Sequence, residues 1–361
     1  MQTVALSGRE RVNRMFARAD QDRIPRYDSY WPETITRWQQ EGMAGDEQAA
    51  LDALGSDFHS AGVVWPAPFP SQSIVLEEDN STEIIRDSWG ATLRRWKHKS
   101  GTPEHLGFDC NTPDKWQHIY KRAFVNADIQ VDLDALRQRY AEGRRAGRWC
   151  LWHCAESFEA TRKLLGDEIV MMAMAFEPDW VRDVSRTYTD HLLREFEAID
   201  ALELDFDGVF MWGDMAYNRS TFCSPRMYRD LIWPDHQRIA EWVHAHGMKL
   251  IYHTDGNVNG VMDLYIEAGF DCLQPLETKA GMDVRDLAPA YGDRLALMGN
   301  VNVMTMLDND LAKIESEVAA KLTAGKATRA YAYHSDHSVP PQVCWQTYQF
   351  IIECVDRYGN Y

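Results

Sequence analysis

Short apolar runs alternate with longer amphipathic runs along most of the chain. The short runs are almost continuously apolar and are bounded by Gly, Asp or Pro, which is typical of parallel strands that are buried on both faces. Eight of them are present, at residues 24–30, 61–65, 148–153, 207–213, 248–253, 270–276, 295–300 and 329–334.

The longer runs repeat apolar residues at the 3.6-residue period of an amphipathic helix. They lie at residues 178–202, 225–247, 259–269, 284–292, 311–325 and 342–359. The second of them opens with Ser224 as the N-cap and Pro225 in the first turn, and it closes on Gly247. Pro234 lies inside this run and predicts a kink or a break, because proline has no N–H for the helical hydrogen bond.

Eight strand candidates, most of them followed by a helix, predict an α/β fold of the (β/α)8 TIM barrel type, preceded by an N-terminal helix. Residues 66–147 interrupt the alternation and are rich in Pro, Trp and charged residues. They include a hairpin-like segment at 82–99 with Trp89 and Gly90 at its turn. We therefore expect a single domain over 1–361, with 66–147 inserted after the second strand.

The charge and the apolar content exclude several classes of function. The net charge of −17 argues against a nucleic-acid partner, because binding to phosphates needs a basic surface. A small-molecule substrate remains open, since a few local arginines can hold an anion on an acidic protein. The N-terminus lacks the apolar core of a signal peptide, and no apolar run is long enough to span a membrane. The expected location is therefore the cytoplasm.

The chain has seven cysteines, an odd number, and no secretion signal. Buried or free thiols are therefore expected rather than a disulfide framework. Cys150 and Cys154 have the spacing of a metal-binding pair, but Cys150 lies inside the strand-like segment RWCLWHC, which favours burial.

Polar side chains follow most of the predicted strands, at the end of the barrel where active sites lie in this fold. Any one of them is more often a cap or a loop residue than a catalyst, but three strands end in His and four acidic residues point to the same mouth. The candidates, in chain order, are Tyr27, Asp28, His153, Glu156, Trp212, Asp214, Tyr217, His253, Asp255, Gln274, Glu277, Asn300, His334 and His337.

Some of these residues suggest a metal site. His253 and Asp255 lie on one loop, and either His334 or His337 would reach them from the last strand. Two imidazoles and a carboxylate leave open positions for a substrate, as in catalytic zinc sites or in mononuclear iron sites. The pattern lacks a contiguous motif such as HExxH, and Asp255 before Gly256 is also an ordinary turn pair.

Several segments resemble the uroporphyrinogen decarboxylase superfamily, which also contains cobalamin-dependent methyltransferases and aryl-ether demethylases. They are RERVNRMF with DRIPRYD, GDMAY, the block SPRMYRDLIWPDHQRIAEWVHAHGMKLIYHTDGNV, MGNVN and HSVPPQ. The resemblance extends over nearly the whole chain and implies a single distorted (β/α)8 barrel.

The chain departs from the superfamily at two places. Uroporphyrinogen decarboxylases carry an arginine-rich segment after the first strand, whereas residues 28–33 here are acidic and aromatic, so a porphyrinogen with its carboxylates would be held poorly. Corrinoid-protein methyltransferases of the superfamily bind zinc through His-x-Cys and a later Cys. The matching positions here are His253, Asp255 and His337, which are harder ligands suited to polarising an oxygen atom.

The resemblance implies an enzyme, and the first hypothesis is a methyltransferase that moves a methyl group between a small substrate and a corrinoid on a separate protein. A divalent metal, with zinc as the first candidate, would be bound by His253, Asp255 and His337. The expected catalytic residues are Asp214, Glu277 and His337. The expected substrate-binding residues are Tyr27, Asp28, His153, Trp212, Tyr217, Gln274 and Asn300.

Two other hypotheses remain open. The first is a metal-independent decarboxylase or lyase acting on a small substrate, in which Asp214 stabilises a developing cation and His337 donates a proton. The second is a non-catalytic barrel that binds a ligand or a partner protein. The methyl donor, the identity of the metal and the quaternary state, including a homodimer, are not determined by the sequence.

Overall fold

The computed structural model of the chain describes residues 5–98 and 101–361. The strands are β1 (Phe58–Val64), β2 (Ile74–Glu78), β3 (Thr82–Arg86), β4 (Ala91–Trp96), β5 (Glu104–Phe108), β6 (Trp149–Ala155), β7 (Gly208–Trp212), β8 (Ala216–Tyr217), β9 (Ser220–Thr221), β10 (Lys249–His253), β11 (Cys272–Gln274), β12 (Ala296–Met298) and β13 (Tyr331–Ala332).

The α-helices are α1 (Gly8–Phe16), α2 (Pro32–Gln40), α3 (Glu47–Leu54), α4 (Pro113–Lys115), α5 (Lys121–Asn126), α6 (Leu133–Arg145), α7 (Ser157–Leu165), α8 (Asp167–Phe176), α9 (Pro178–Asp200), α10 (Pro225–Leu231), α11 (Trp233–Ala245), α12 (Met262–Ala268), α13 (Val284–Tyr291), α14 (Val303–Met306), α15 (Leu311–Lys326) and α16 (Trp345–Gly359). A π-helix covers Trp116–Tyr120, and short 3₁₀ helices cover Asn259–Val261 and Thr278–Ala280.

Seven strands form one parallel sheet in the order β1–β6–β7–β10–β11–β12–β13. The extended residues 24–30 lie between its two edges. On one side the Tyr27 amide donates to the Tyr333 carbonyl at 3.0 Å, and on the other the Asp57 amide donates to the Arg26 carbonyl at 2.9 Å. The sheet therefore closes on itself, and the predicted (β/α)8 barrel fold is confirmed.

The first predicted strand differs from the prediction in its regularity. Residues 24–30 form isolated bridges, Arg26 to Tyr333 and Tyr30 to Val339, rather than a continuous ladder. Pro25 has no N–H to donate, which interrupts the hydrogen bonding along this segment. The last three strands are also shorter than the apolar runs predicted, because the ends of those runs continue into the loops at the mouth of the barrel.

The predicted helices are present with small shifts at their ends. The run 225–247 is divided at Ile232 into α10 and α11, and Pro234 lies in the first turn of α11, so the predicted break is confirmed. Ser224 caps α10 by accepting the Met227 N–H at 3.2 Å. The N-terminal helix is α1, and residues 1–4 lie outside the described residues.

The segment between β1 and β6 carries a four-stranded antiparallel sheet in the order β2–β3–β4–β5. Strands β3 and β4 form the predicted hairpin with its turn at Trp89 and Gly90, although residue 99 of that prediction lies outside the described residues. Trp89 is buried, and its ring lies 5.7 Å from the ring of Trp65 and 6.1 Å from that of Tyr188. These contacts attach the inserted sheet to the barrel.

Both faces of the barrel strands are buried. Alternate side chains such as Leu151, Phe210 and Ile251 fill the interior of the barrel, where Val12 and Met15 of α1 join the same cluster. The intervening side chains pack under the outer helices within a larger core. Burial on two sides explains why the strands read as continuous apolar runs instead of alternating ones.

The cysteines contribute to this core. Six of the seven are buried, and all are free thiols, as expected from the sequence. Cys150 and Cys154 lie on β6, and burial raises the pKa of the Cys150 thiol to about 11. A thiol that stays protonated is a poor metal ligand. Separately, no helix in the described ranges has the length and apolarity needed to cross a bilayer.

Candidate active site

Inward-facing side chains at the carboxyl ends of the central strands form one layer at the mouth of the barrel. His253 at the end of β10 is the register partner of Trp212 on β7 and of Gln274 on β11. His153 on β6 is the register partner of Phe210 on β7, two residues before Trp212, and the rings of His153 and Phe210 lie 4.7 Å apart. The parallel register thus brings together residues that are far apart in sequence.

The turn after β10 carries Asp255 into this mouth. Gly256 follows it with φ +86°, and a Cβ atom on Gly256 would lie 2.6 Å from the backbone carbonyl carbon of Ala216. Only glycine fits such a close approach in this conformation. The Gly256 amide donates to Glu277 Oε2 at 2.7 Å, which holds the turn in place.

Asp214, His253 and Asp255 converge in the mouth. One potential ligand atom from each lies within 4.8 Å of the other two. Asp214 Oδ1 accepts the Asp255 N–H at 2.9 Å and lies 3.9 Å from His253 Nε2. His337 approaches from the last strand, with its Nε2 3.7 Å from Asp255 Oδ2. The predicted metal residues therefore lie together, with Asp214 as an additional member.

The charge in this cluster is not fully compensated. Asp255 Oδ1 is buried and has no hydrogen-bond partner. Burial raises the pKa of Asp255, His253 acts in the opposite direction, and the nearby Asp214 carboxylate raises the pKa further. A divalent cation would satisfy the unpartnered oxygen, and oxygen and imidazole nitrogen donors are those that zinc accepts. The residues present therefore fit a metal ion.

The two candidate histidines of the last strand occupy different places. His334 is 2% exposed and lies behind Gln274, whose Nε2 is 3.4 Å from His334 Nε2. His337 lies at the rim, where its ring stacks on Trp31 at 6.3 Å with an interplanar angle of 19°. The structure thus brings His337, and not His334, to Asp255.

Glu277 has both carboxylate oxygens engaged. Oε2 accepts the Gly256 N–H, and Oε1 pairs with Lys279 Nζ at 2.8 Å. Because the side chain is also buried, the structure places Glu277 as a support of the β10 turn rather than as an open group facing the cluster.

Asp28, one of the predicted substrate-binding residues, is buried behind the mouth. Its Oδ2 accepts the hydroxyl groups of Tyr333, Ser335 and Tyr348 at 2.9–3.2 Å, and its Oδ1 accepts the Ser335 amide at 3.2 Å. These bonds tie residues 24–30 to the end of β13, and they leave no oxygen of Asp28 facing a substrate.

Asn300, another predicted substrate-binding residue, is also fully buried. It adopts φ +74°, its amide donates to the carbonyls of Leu276 and Met282, and its Oδ1 accepts the Val284 N–H at 2.9 Å. The structure therefore gives Asn300 the role of joining the loops after β11 and β12 to the start of α13.

Two of the aromatic candidates pack on other rings near the mouth, and the third lies outside it. Trp212 contacts Trp65 edge to face at 5.6 Å, and Tyr27 lies 5.7 Å from the ring of His334. His153 Nδ1 lies 3.1 Å from Ser60 Oγ, and burial lowers the pKa of His153 to about 4. Tyr217 is 50% exposed on β8, outside the enclosed mouth.

Glu159 was not predicted from the sequence. Its carboxylate accepts the backbone N–H of Asp214, and burial raises its pKa to about 7. Glu156, three residues earlier, caps α7 and accepts His236 Nε2 at 2.7 Å. The spacing of the two glutamates places Glu159 in the first turn of the helix, but its contact with Asp214 depends on how α7 packs beside the β7 loop.

Comparisons with known structures support the fold. A methyltransferase from Methanosarcina mazei matches with a TM-score of 0.66 at 16% identity, over 98% of this chain and 99% of that one. A glycoside hydrolase family 5 enzyme from Prevotella bryantii B14 gives a TM-score of 0.40 at 10% identity, over 69% of this chain and 88% of that one. The second value is too low to support an argument.

Sequence comparison identifies the family. No curated protein matches this chain significantly. The family model described as "Uroporphyrinogen decarboxylase (URO-D)" matches residues 170–358, which are 189 of the 361 residues. That range runs from α8 to α16 and includes every member of the carboxylate and imidazole cluster. The chain belongs to the uroporphyrinogen decarboxylase (URO-D) family.

Proposed function

We propose that this protein is a metal-dependent methyltransferase that moves a methyl group between a small substrate and a corrinoid on a separate protein. The observation that carries the proposal is the convergence of Asp214, His253 and Asp255 within 4.8 Å at the mouth of the barrel. The similarity in fold to the methyltransferase from Methanosarcina mazei over the full chain supports this class of reaction.

His253, Asp214 and Asp255 would hold the metal, with His337 as a further ligand or as its neighbour. When bound, a zinc ion would supply Lewis-acid polarisation of the oxygen that carries the methyl group. His253 would contribute Nε2, which faces Asp214. Asp255 would contribute the oxygen that has no other partner.

As a neighbour of the metal, His337 would donate a proton to a leaving oxygen. It is partly exposed, with 35% of its side chain accessible, and it lies 3.7 Å from Asp255. The stacked Trp31 ring restricts its orientation. Trp212 and Trp65 would exclude water from the opposite side of the substrate. A small substrate fits this arrangement better than a polyanion, because Arg162 and Lys279 are already paired with carboxylates.

One observation favours a second candidate, a metal-independent decarboxylase or lyase acting on a small substrate. The Asp255 carboxylate, with one oxygen unpartnered and Asp214 beside it, could itself stabilise a cationic group of the substrate that takes up the electron pair left behind by carbon dioxide. His337 would then protonate the product. This reaction needs no metal, so the two candidate functions differ in whether activity depends on a bound metal ion.

Metal analysis combined with variants of the cluster tests the proposal. Purified protein is assayed for bound divalent metal and for methyl transfer from a panel of methylated oxygen compounds to cob(I)alamin, with carbon dioxide release measured in parallel. His253→Ala and Asp255→Ala should lose the metal and at least 100-fold in rate, as expected for loss of a metal ligand or of its support.

His246→Ala is the matched control, because His246 lies at the opposite end of the barrel, stacked on Trp242 at 3.8 Å. It should retain both metal and rate. Full methyl transfer by metal-free protein would contradict the proposal, and metal-independent carbon dioxide release would establish the second candidate instead.

A further inference from the structure

A buried hydrogen-bond chain connects His253 to the last strand of the barrel through Gln274. Gln274 is 3% exposed and lies between the two imidazoles. Its Oε1 is hydrogen-bonded to His253 Nδ1, and its Nε2 lies 3.3 Å from Nδ1 and 3.4 Å from Nε2 of His334. Along this series of hydrogen bonds, the position of the hydrogen in one bond determines which group donates in the next.

The direction of the chain is set at His334. His334 Nδ1 lies 2.6 Å from the carbonyl oxygen of Ser335, and since a carbonyl can only accept, Nδ1 must carry the hydrogen. Burial lowers the pKa of His334, which favours the neutral ring. Its Nε2 therefore has a free lone pair, whereas the protonated Nδ1 cannot accept, so the nearby NH₂ group of Gln274 donates to Nε2. The amide oxygen of Gln274 then faces His253.

The same constraint passes on to His253. The Gln274 oxygen cannot donate, so His253 Nδ1 must carry the hydrogen of this bond. In the neutral ring the lone pair is then on Nε2, the atom 3.9 Å from Asp214 Oδ1. The register of β10 and β11, which pairs His253 with Gln274, makes the contact a consequence of the barrel itself.

We propose that Gln274 is a positioning residue that holds His253 in the Nδ1–H tautomer and so presents Nε2 to the site. The sequence alone had suggested a substrate-binding role for Gln274. The consequence for metal affinity rests on the proposed function, whereas the tautomer is a property of the metal-free protein and is tested independently of it.

Nuclear magnetic resonance of protein labelled with ¹⁵N-histidine measures the tautomer directly. Metal-free protein is studied at pH 8, above the ordinary pKa of imidazole, and the His253 signals are assigned by their absence in His253→Gln. Wild-type protein should show the Nδ1–H form. Gln274→Met, which removes both hydrogen bonds at similar side-chain length, should lose it, whereas Gln274→Glu keeps an acceptor and should retain it.

Zinc titration provides the second readout. Gln274→Met should bind zinc 10-fold to 100-fold more weakly than wild-type protein, the usual effect of losing a residue that orients a ligand, and Gln274→Glu should recover most of the affinity. Gln138→Met makes the same change at an exposed position on α6 and should match wild-type protein in both measurements.

Each outcome separates the two proposals. An Nε2–H tautomer in wild-type His253, or zinc binding by Gln274→Met as tight as in wild-type protein, overturns the role of Gln274 while leaving the metal site intact. Failure of wild-type protein to bind zinc overturns the proposed function, and the tautomer measurement still decides the role of Gln274. If Gln274→Met fails to fold, the wild-type and Gln274→Glu spectra give the same decision.

Discussion

His153 illustrates how burial controls the charge of a single side chain at the mouth of the barrel. Its pKa is lowered to about 4, and its ring packs on Phe210. The unfolded chain binds a proton near the ordinary histidine pKa of about 6.5. Between these two values the unfolded state binds more protons than the folded one, so this contribution to stability is complete above about pH 6.5 and is lost as the pH falls toward 4.

We therefore expect His153→Gln to reduce the acid sensitivity of the fold. The difference in free energy of unfolding between pH 7.5 and pH 4.5 should become smaller than in wild-type protein, by up to about 3 kcal/mol. Urea unfolding at both values measures it. His118→Gln, at an exposed position, should leave the difference unchanged. An equal pH dependence in His153→Gln and wild-type protein would show that His153 does not resist protonation in the folded state.

Gly256 shows how one residue without a side chain maintains the position of the cluster. We expect Gly256→Ala to destabilise the protein and to weaken zinc binding, because the added Cβ would lie 2.6 Å from the Ala216 backbone and would displace the turn that carries Asp255. Gly247→Ala is the control, since Gly247 has φ +73° with no atom within 4 Å of its Cβ position.

In the control Gly247→Ala, the free energy of unfolding should fall by about 1–2 kcal/mol, because alanine is strained in a left-handed backbone conformation. In Gly256→Ala the free energy of unfolding should fall by at least about 2 kcal/mol more than in the control, because a clash with backbone atoms cannot be relieved by a side-chain rotation. Chemical denaturation measures both variants. Equal decreases in the free energy of unfolding of the two variants would show that the turn after β10 can move without destabilising the protein.

At the scale of whole elements, α1 closes the bottom of the barrel and the loops at the opposite end carry the proposed metal site. Val12 and Met15 are fully buried in the interior cluster, and Phe16 lies 5.7 Å from the ring of Trp149. Strand ends and loops supply the cluster of Asp214, His253 and Asp255. This separation of stability from function is general in barrels of this fold.

Shortening a buried side chain of α1 should therefore lower the stability of the fold without changing the proposed metal site. We expect Met15→Ala to lower the free energy of unfolding by about 2–5 kcal/mol, because it leaves a cavity in the interior. Zinc affinity measured by titration of the folded protein should stay at the wild-type value. Arg14→Ala, on the exposed face of the same helix, should change stability by less than about 0.5 kcal/mol. A parallel loss of zinc affinity in Met15→Ala would show that α1 and the mouth are coupled.

For the molecule as a whole, metal binding should be linked to folding. The proposed ligands come from the ends of β7 and β10, which meet only in the closed barrel. Zinc that binds the folded state alone should raise the free energy of unfolding by about 2.7 kcal/mol at a free concentration 100 times the dissociation constant. Thermal and chemical denaturation with and without zinc measure the change. If zinc raised the free energy of unfolding of His253→Ala by the same amount, the metal would bind at another place in the protein.

Much of the architecture could be predicted from the pattern of apolar residues. Strands buried on both faces read as continuous apolar runs, and Pro234 and the cap at Ser224 act through local backbone chemistry. These features depend on neighbours in the sequence, so they are visible there. The irregular segment at 24–30 was missed in its detail, because the effect of Pro25 depends on which strand edges it faces.

The sequence by itself determined the barrel, the inserted segment and the set of polar residues at the strand ends. Only the tertiary structure decided which of them meet: His337 rather than His334 reaches Asp255, Gln274 and Asn300 are buried within hydrogen-bond networks, and Glu159 lies beside Asp214. The reason is physical. A local pattern controls backbone conformation and burial, whereas the partner of a side chain is set by the register and packing of segments that are distant along the chain.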